Sequence, residues 1–241
     1  MLRPRLIGAG GAGGTDPIEV GSSSVNTGIS SYITLFMPGG VQVGDYAIII
    51  DTLSHNSSVG HNLSLGLNTS TMTQGASLFA NDNYDVHLKM YHGVLTDAVN
   101  HFRLTRFTTY FGSGSGGAIF VFRNVTGITN LQTLTAFDTN DPSIPSITCT
   151  SDDSLVVAAA ASAHNAGARS FGGTSNFSPF TQGNQNSTRD ITFGMGVYSG
   201  SNPSPVPPGA GTTISGEQFT VPFGTAGYSS TASLIFELVN G

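Results

Sequence analysis

Hydrophobic positions alternate with polar ones over "YDVHLKMY" (84–91), where Val86, Leu88 and Met90 share one face and Asp85, His87, Lys89 and Tyr91 the other. A period of two predicts a strand with one side in a core and one in solvent. "NHFRLTRF" (100–107) repeats the pattern, with Phe102 and Leu104 opposite Arg103 and Thr105, so the two segments are expected to pair as an antiparallel hairpin. "AIFVFRNV" (118–125) and "DSLVVAAAASA" (153–163) are more continuously apolar and predict central strands. The alanines of the second run favour a helix by propensity. No cap flanks them and no stripe at 3.6-residue spacing crosses them, so the reading is a closely packed strand.

"SYITLF" (31–36), "DYAIIIDTL" (45–53), "PSITCTS" (145–151), "ITFGMGVYS" (191–199) and "SSTASLIFELV" (229–239) add further strands, the last expected to close the sheet. Between them lie "MPGGVQVG", a Pro-Gly turn with a short linker, "GSGSGG" (112–117), read as a flexible turn, and the proline-rich surface connection "GSNPSPVPPGAG" (200–211). Residues 164–190 are rich in Gly, Ser and Asn, yet a structureless loop of that length is uncommon inside a domain. Phe171, Phe177 and Phe180 are expected to pin it. Residues 1–28 show almost no apolar periodicity and read as an extended Gly-rich N-terminal arm, with a single domain over 29–241. The expected fold is all-β, a two-sheet antiparallel sandwich of eight to ten strands, jelly-roll-like.

Composition strengthens the all-β reading. Charged residues are 9% of the 241, against roughly 25% in an average soluble domain, with one lysine (Lys89) and three glutamates (Glu19, Glu217, Glu237). The residues that normally cover exposed helical faces are scarce. A net charge of −6 with eight scattered basic residues leaves no footprint for a nucleic-acid backbone, so no nucleic-acid partner is expected. The lone Cys149 excludes an intrachain disulfide and a Cys-based zinc site. No apolar run approaches the ~18 residues of a membrane helix, and the apolar part behind Arg3 and Arg5 is too short and glycine-broken for an export signal. Neither a membrane nor secretion is expected.

"LIGAGGAGGT" (6–15) places Gly8, Gly10 and Gly13 on the G-x-G-x-x-G spacing of a dinucleotide loop. Such a loop needs a strand before it and a helix opening at its end. Pro4 and Pro17 interrupt both, so the spacing is coincidental and no cofactor is expected. No phosphate loop precedes Lys89, and neither G-x-S-x-G nor H-E-x-x-H occurs. His92 could face His101 across a turn, but nothing completes a metal site around His55, His61, His87, His92 and His101. "ANDNYD" (80–85) and "FDTNDPS" (137–143) offer Asp82, Asp85, Asp138 and Asp141 as oxygen ligands for calcium. Their spacing fits no EF-hand, and Asx turns use the same residues. No paired catalytic carboxylates suggest themselves. With no Trp, sugar platforms reduce to Tyr84, Tyr91, Tyr110, Tyr198 and Tyr228.

"PGGVQVGDYAIII" (38–50), "GGAIFVFRNVTGI" (116–128) and "PSITCTSDDSLVVAAAASA" (145–163) together resemble the β-sandwich structural proteins of tailed bacteriophages. Those proteins carry a "V-x-x-GD" lead-in to an apolar strand, an "AFRGV"-like strand and an "SIT…DGSLVVA"-like pair. The similarity covers the middle half of the chain and departs from relatives that carry a Gly-Trp before the central hairpin. It implies a virion protein made in the host cytoplasm, of the kind found as head-decoration (cement) or as tail and fibre components.

The expectation is therefore a non-enzymatic capsid decoration protein, homo-oligomeric, with the major capsid protein or other virion subunits as partners. A glycine-rich arm can lie across neighbouring subunits and order on assembly. Leu2, Arg3, Arg5, Leu6 and Ile7 are its expected contacts. The alternative is a tail or fibre component whose loops at 164–190 and 199–212 bind a host glycan, and a weaker one is a carbohydrate-active β-sandwich enzyme. No catalytic, cofactor or metal residue is assigned.

Overall fold

The computed structural model describes residues 18–240 apart from 29–31, 56–60, 65–67, 81–83, 107–113, 138, 140, 165–166, 168, 186–189, 201 and 222–228. Among the described residues there is no helix. The strands are β1 (Glu19–Gly28), β2 (Tyr32–Leu35), β3 (Tyr46–Ser54), β4 (His61–Ser64), β5 (Thr73–Ala80), β6 (Val86–Val94), β7 (Phe102–Arg106), β8 (Ser115–Arg123), β9 (Gly127–Phe137), β10 (Ile147–Thr148), β11 (Leu155–His164), β12 (Phe177–Gln185), β13 (Asp190–Tyr198), β14 (Thr213–Ile214) and β15 (Ser230–Val239).

Two five-stranded antiparallel sheets, β1-β8-β3-β6-β5 and β12-β13-β11-β15-β9, enclose the main core, so the chain is the all-β sandwich its pattern predicts. Ile48, Ile50, Leu88, Met90, Phe120 and Phe122 of the first sheet meet Leu155, Val157, Phe193, Met195, Leu234 and Phe236 of the second. Each large sheet draws its strands from one half of the chain, the first from residues 19–123 and the second from 127–239, instead of weaving between sheets as a jelly roll does.

Both outer faces are covered as well. A three-stranded sheet, β2-β7-β4, lays Ile33, Leu35, Phe102 and Leu104 over Ala47, Ile49, Ile119 and Val121. On the far side the β10–β14 pair and its connections bring Ile147, Ile214, Phe171 and Phe219 over Val156, Ala158, Ala160 and Ile235. Every residue of β3 and of β11 is buried, which is why β11 reads as a continuous apolar run, while β3 buries Asp51, Thr52 and Ser54 along with its isoleucines.

This layering corrects several expectations. β6 and β7 do not form a hairpin, because β6 pairs with β3 and β5 while β7 lies in the covering sheet between β2 and β4. Much of the second face of β6 is withdrawn from solvent, Tyr91 at 7% beneath that cover and His87 at 6% against Phe79 of β5. Glu19–Gly28, expected in the arm, is the edge strand β1, paired with β8 from Glu19 opposite Arg123 to Gly28 opposite Ser115 with a shift between Val20 and Ser23. β15 does not close its sheet but runs between β11 and β9.

Ser115–Gly117, expected in a flexible turn, opens β8. A Cβ at Gly116 would strike the Phe193 ring in the main core, and one at Gly117 would strike Leu104 in the outer core and come within 2.6 Å of the Ile50 carbonyl. The glycines mark a strand squeezed from both sides. Phe171, Phe177 and Phe180 pin their segment by packing around Phe219, with ring centroids at 5.6, 5.2 and 5.2 Å.

Candidate assembly surface

The chain enters the sandwich at Ile18, whose side chain is 2% exposed within the main core. Glu19 follows as the first residue of β1 and sits 3.8 Å from Arg123 Nη1. Arg123 closes β8, and its Nε and Nη2 donate to the two carboxylate oxygens of Asp45 at 3.0 and 3.1 Å. Nη2 also reaches the Gly40 carbonyl at 3.4 Å. Asp45 in turn accepts the Gln42 N–H at 2.8 Å and so closes the turn that precedes β3. Gly44 takes φ +96 in that turn, a conformation glycine adopts without strain. Its N–H donates to the Leu95 carbonyl, and the Leu95 N–H donates back to Asp45, each at 2.8 Å. The turn before β3 and the end of β8 thus meet in one ion pair, and Asn124, which follows Arg123, has φ +61.

Val43, Val94 and Val99 are 68%, 46% and 84% exposed at the same end of the sheet, Val94 ending β6 and the other two lying on the turns that Gly44 and Leu95 tie together. The turn that presents Val99 is firmly held. Asp97 accepts the N–H groups of Val99 and Asn100 at 3.0 Å and the Asn100 side-chain amide at 2.8 Å. The Asn100 N–H chiefly, then its amide and the Val99 N–H, bring the Asp97 carboxyl down to about 2. Asn68 donates to the carbonyls of Asp97 and Asn100, and Ser70 Oγ accepts the N–H groups of Thr96 and Asp97. Phe36, 63% exposed, packs its ring 6.1 Å from that of His101.

The expected contacts Leu2, Arg3, Arg5, Leu6 and Ile7 lie outside the described residues. The histidines are placed apart. His92 Nδ1 meets the Tyr46 hydroxyl at 2.6 Å, and burial opposes a charge on either ring, so a neutral phenol and a neutral imidazole share this bond, its donor set by the imidazole tautomer. His101 lies against Phe36 instead, and His87 stacks on Phe79 at 4.3 Å. Of the acidic loops, Asp82 and Asp138 lie outside the described residues, Asp85 is fully buried, and Asp141 caps the Val221 N–H at 2.6 Å. Tyr91 is buried, Tyr84 packs against the main core and Tyr198 meets Phe177 edge-on at 5.7 Å; Tyr110 and Tyr228 are outside the described residues.

Two buried polar clusters escape a reading of the sequence. At one end of the second sheet, His164 lies opposite Asp190 in the β11–β13 register, with Nδ1 3.9 Å from Oδ2, and its Nε2 is 3.0 Å from Thr192 Oγ1. The Thr192 hydroxyl donates to the Arg169 carbonyl at 3.3 Å, so its proton is committed and Nε2–H is the donor between the two side chains. His164, Asp190 and Thr192 are 1%, 1% and 0% exposed. Burial brings the imidazole down to about 4 against the opposing pull of Asp190.

The second cluster surrounds Glu237, fully buried on β15. It accepts the Thr150 N–H at 2.9 Å, the Ser154 hydroxyl at 2.8 Å and the Asn130 amide at 3.0 Å. Burial raises its pKa, and these donors outweigh burial to bring it below the ordinary carboxylate value. The one acid inside "SLIFELV" was the available signal, because a charge in an apolar strand needs partners.

Comparison of the chain with protein-family models, with curated proteins and with solved structures finds no match.

Proposed function

We propose that the protein is a non-enzymatic structural protein of a tailed-phage virion, a capsid decoration protein that its N-terminal segment ties to neighbouring subunits. The observation that carries this reading is the junction at Ile18. There the preceding chain passes into the sandwich through a buried anchor and an ion-paired edge strand, at an end where Val43, Val94 and Val99 are exposed. A segment pulled on by a neighbour needs such a fixed root, since a frayed one would be drawn off the sheet before it bore load. The charged groups Asp45, Arg123, Asp190 and Glu237 are engaged in internal bonds, which fits a scaffold better than a reaction centre.

Partners in this reading are the major capsid protein or other virion subunits, with a homo-oligomeric body and no cofactor. The glycan-binding alternative draws less support, because the described tyrosines among its candidate platforms pack against the protein's own side chains.

Deleting residues 1–17 tests the reading. The cut spares Ile18 and all of β1, so the truncated chain is expected to fold with an unchanged far-ultraviolet spectrum and to fail to join particles. Incorporation equal to that of the full chain would contradict the role given to the segment.

A further inference from the structure

Three of the four edges of the large sheets are blunted by their own chain. β1 is overlaid by β2, with Ser24 Oγ donating to the Phe36 carbonyl at 2.7 Å and Asn26 Nδ2 to that of Thr34 at 2.8 Å. β12 carries Pro179 and is packed on by Val25 at Gly183. β5 is broken by a register shift between Gln74 and Ala76. β9 carries a shift of its own at Asn130, but the seven residues beyond it, Leu131–Phe137, run in regular register and, among the described residues, bond to no further strand on their outer edge. It is the longest strand, "GITNLQTLTAF", without a charge or a proline, and it ends the second sheet with Leu134 and Phe137 40% and 53% exposed. Long, uncharged, apolar edges are templates for another strand, and folded proteins normally protect them.

We infer that β9 is a self-complementary edge through which two copies of this chain join, antiparallel, into one continuous sheet. The register follows from the strand itself. A shift between Ile235 and Glu237, with Asn130 at φ +53, ends the regular part on one side, and the strand's last residue ends it on the other. The regular window is Leu131–Phe137, and its midpoint is Leu134. A two-fold axis normal to the sheet at Leu134 keeps each residue on its own face, as the period of two demands. It sets Leu134 against its own copy on the outer face and Phe137 against Leu131 on the inner face. Thr133 then meets Thr135, and Gln132 meets Ala136. The exposed apolar side chains acquire apolar partners, the threonines face one another, and no like charges are opposed. The pairing rests on the edge alone and does not depend on the virion reading.

The test uses the purified full chain without particles. Light scattering behind a sizing column, over a dilution series, should show a dimer that dissociates to monomer. Leu134→Cys should cross-link that dimer on mild oxidation, because residues directly opposite across an antiparallel pair have Cα atoms about 4.5–5.5 Å apart, within disulfide reach. Gln132→Cys should not, since its two copies would lie more than about 10 Å apart along the strands. Leu134→Lys, at an exposed position, should give a folded monomer by placing two ammonium groups at the axis. A wild-type monomer at every concentration overturns the inference. So does a dimer in which Leu134→Cys fails to cross-link, or in which Gln132→Cys links equally well.

Discussion

Asp45 receives Nε and Nη2 of Arg123 at 3.0 and 3.1 Å while its Oδ2 also holds the Gln42 N–H at 2.8 Å. One carboxylate therefore joins the turn before β3, the end of β8 and, through Arg123, the start of β1. With side-chain exposures of 7% and 28%, the carboxylate is buried while the guanidinium stays partly open to water, so the pair is screened less than a surface one and more than a fully buried one. Asp45→Ala leaves the Gln42 N–H without its acceptor and the guanidinium with only the Gly40 carbonyl and Glu19, and is expected to destabilise the fold by about 1–3 kcal/mol in urea unfolding. Glu19→Gln, farther from Arg123 and half-exposed, should cost less than about 0.5 kcal/mol.

Overpacking provides a second check. Gly116→Ala and Gly117→Ala should each cost about 1–3 kcal/mol, because their new methyl groups meet Phe193 and Leu104 in two different cores. Gly39→Ala, with open space around its Cβ, should stay within about 0.5 kcal/mol of wild type.

Glu237→Gln replaces an accepting oxygen with an amide that faces the donors Thr150 and Ser154. It should cost about 1–3 kcal/mol at neutral pH. Because the folded carboxyl titrates below its ordinary value, its stabilisation is present above that value and is lost as pH falls through it towards the folded one. The Gln variant should therefore show a shallower loss of stability in that acid range.

His164 has the opposite charge chemistry and the same direction. Its folded pKa is about 4 against an ordinary 6.5, so between these values only the unfolded chain binds the proton. Stability from this group is complete above about 6.5, declines by about 3 kcal/mol as pH falls to about 4, and is level below that. Histidine ring resonances followed by NMR should show His164 neutral down to about pH 4. A midpoint near 6.5 would show the ring to be solvated.

The strand positions were legible wherever period or continuity carried them. β6 showed its core face through Val86, Leu88 and Met90, and β11 its burial through an unbroken apolar run. What hid was the second layer on each side. His87 and Tyr91 read as solvent-facing because polar side chains on a strand normally are, and only tertiary packing, Phe79 on His87 and the β2–β7 layer on Tyr91, makes them interior. Gly116 and Gly117 read as a turn because a glycine's missing Cβ serves a bend and a crowded strand equally well. Asp45 and Arg123 lie 78 positions apart in the chain, and no local pattern announces a contact at that range. The β1 pairing was masked in the same way, since an isolated run such as "EVGSSSVNTG" acquires its register from β8.

The most direct measurement for a decoration protein is its copy number in purified virions, read from a stained gel against the major capsid band. Decoration predicts a stoichiometry comparable to that of the capsid protein, with the chain spread over the head. Absence from the particles, or a handful of copies at one vertex, would contradict it.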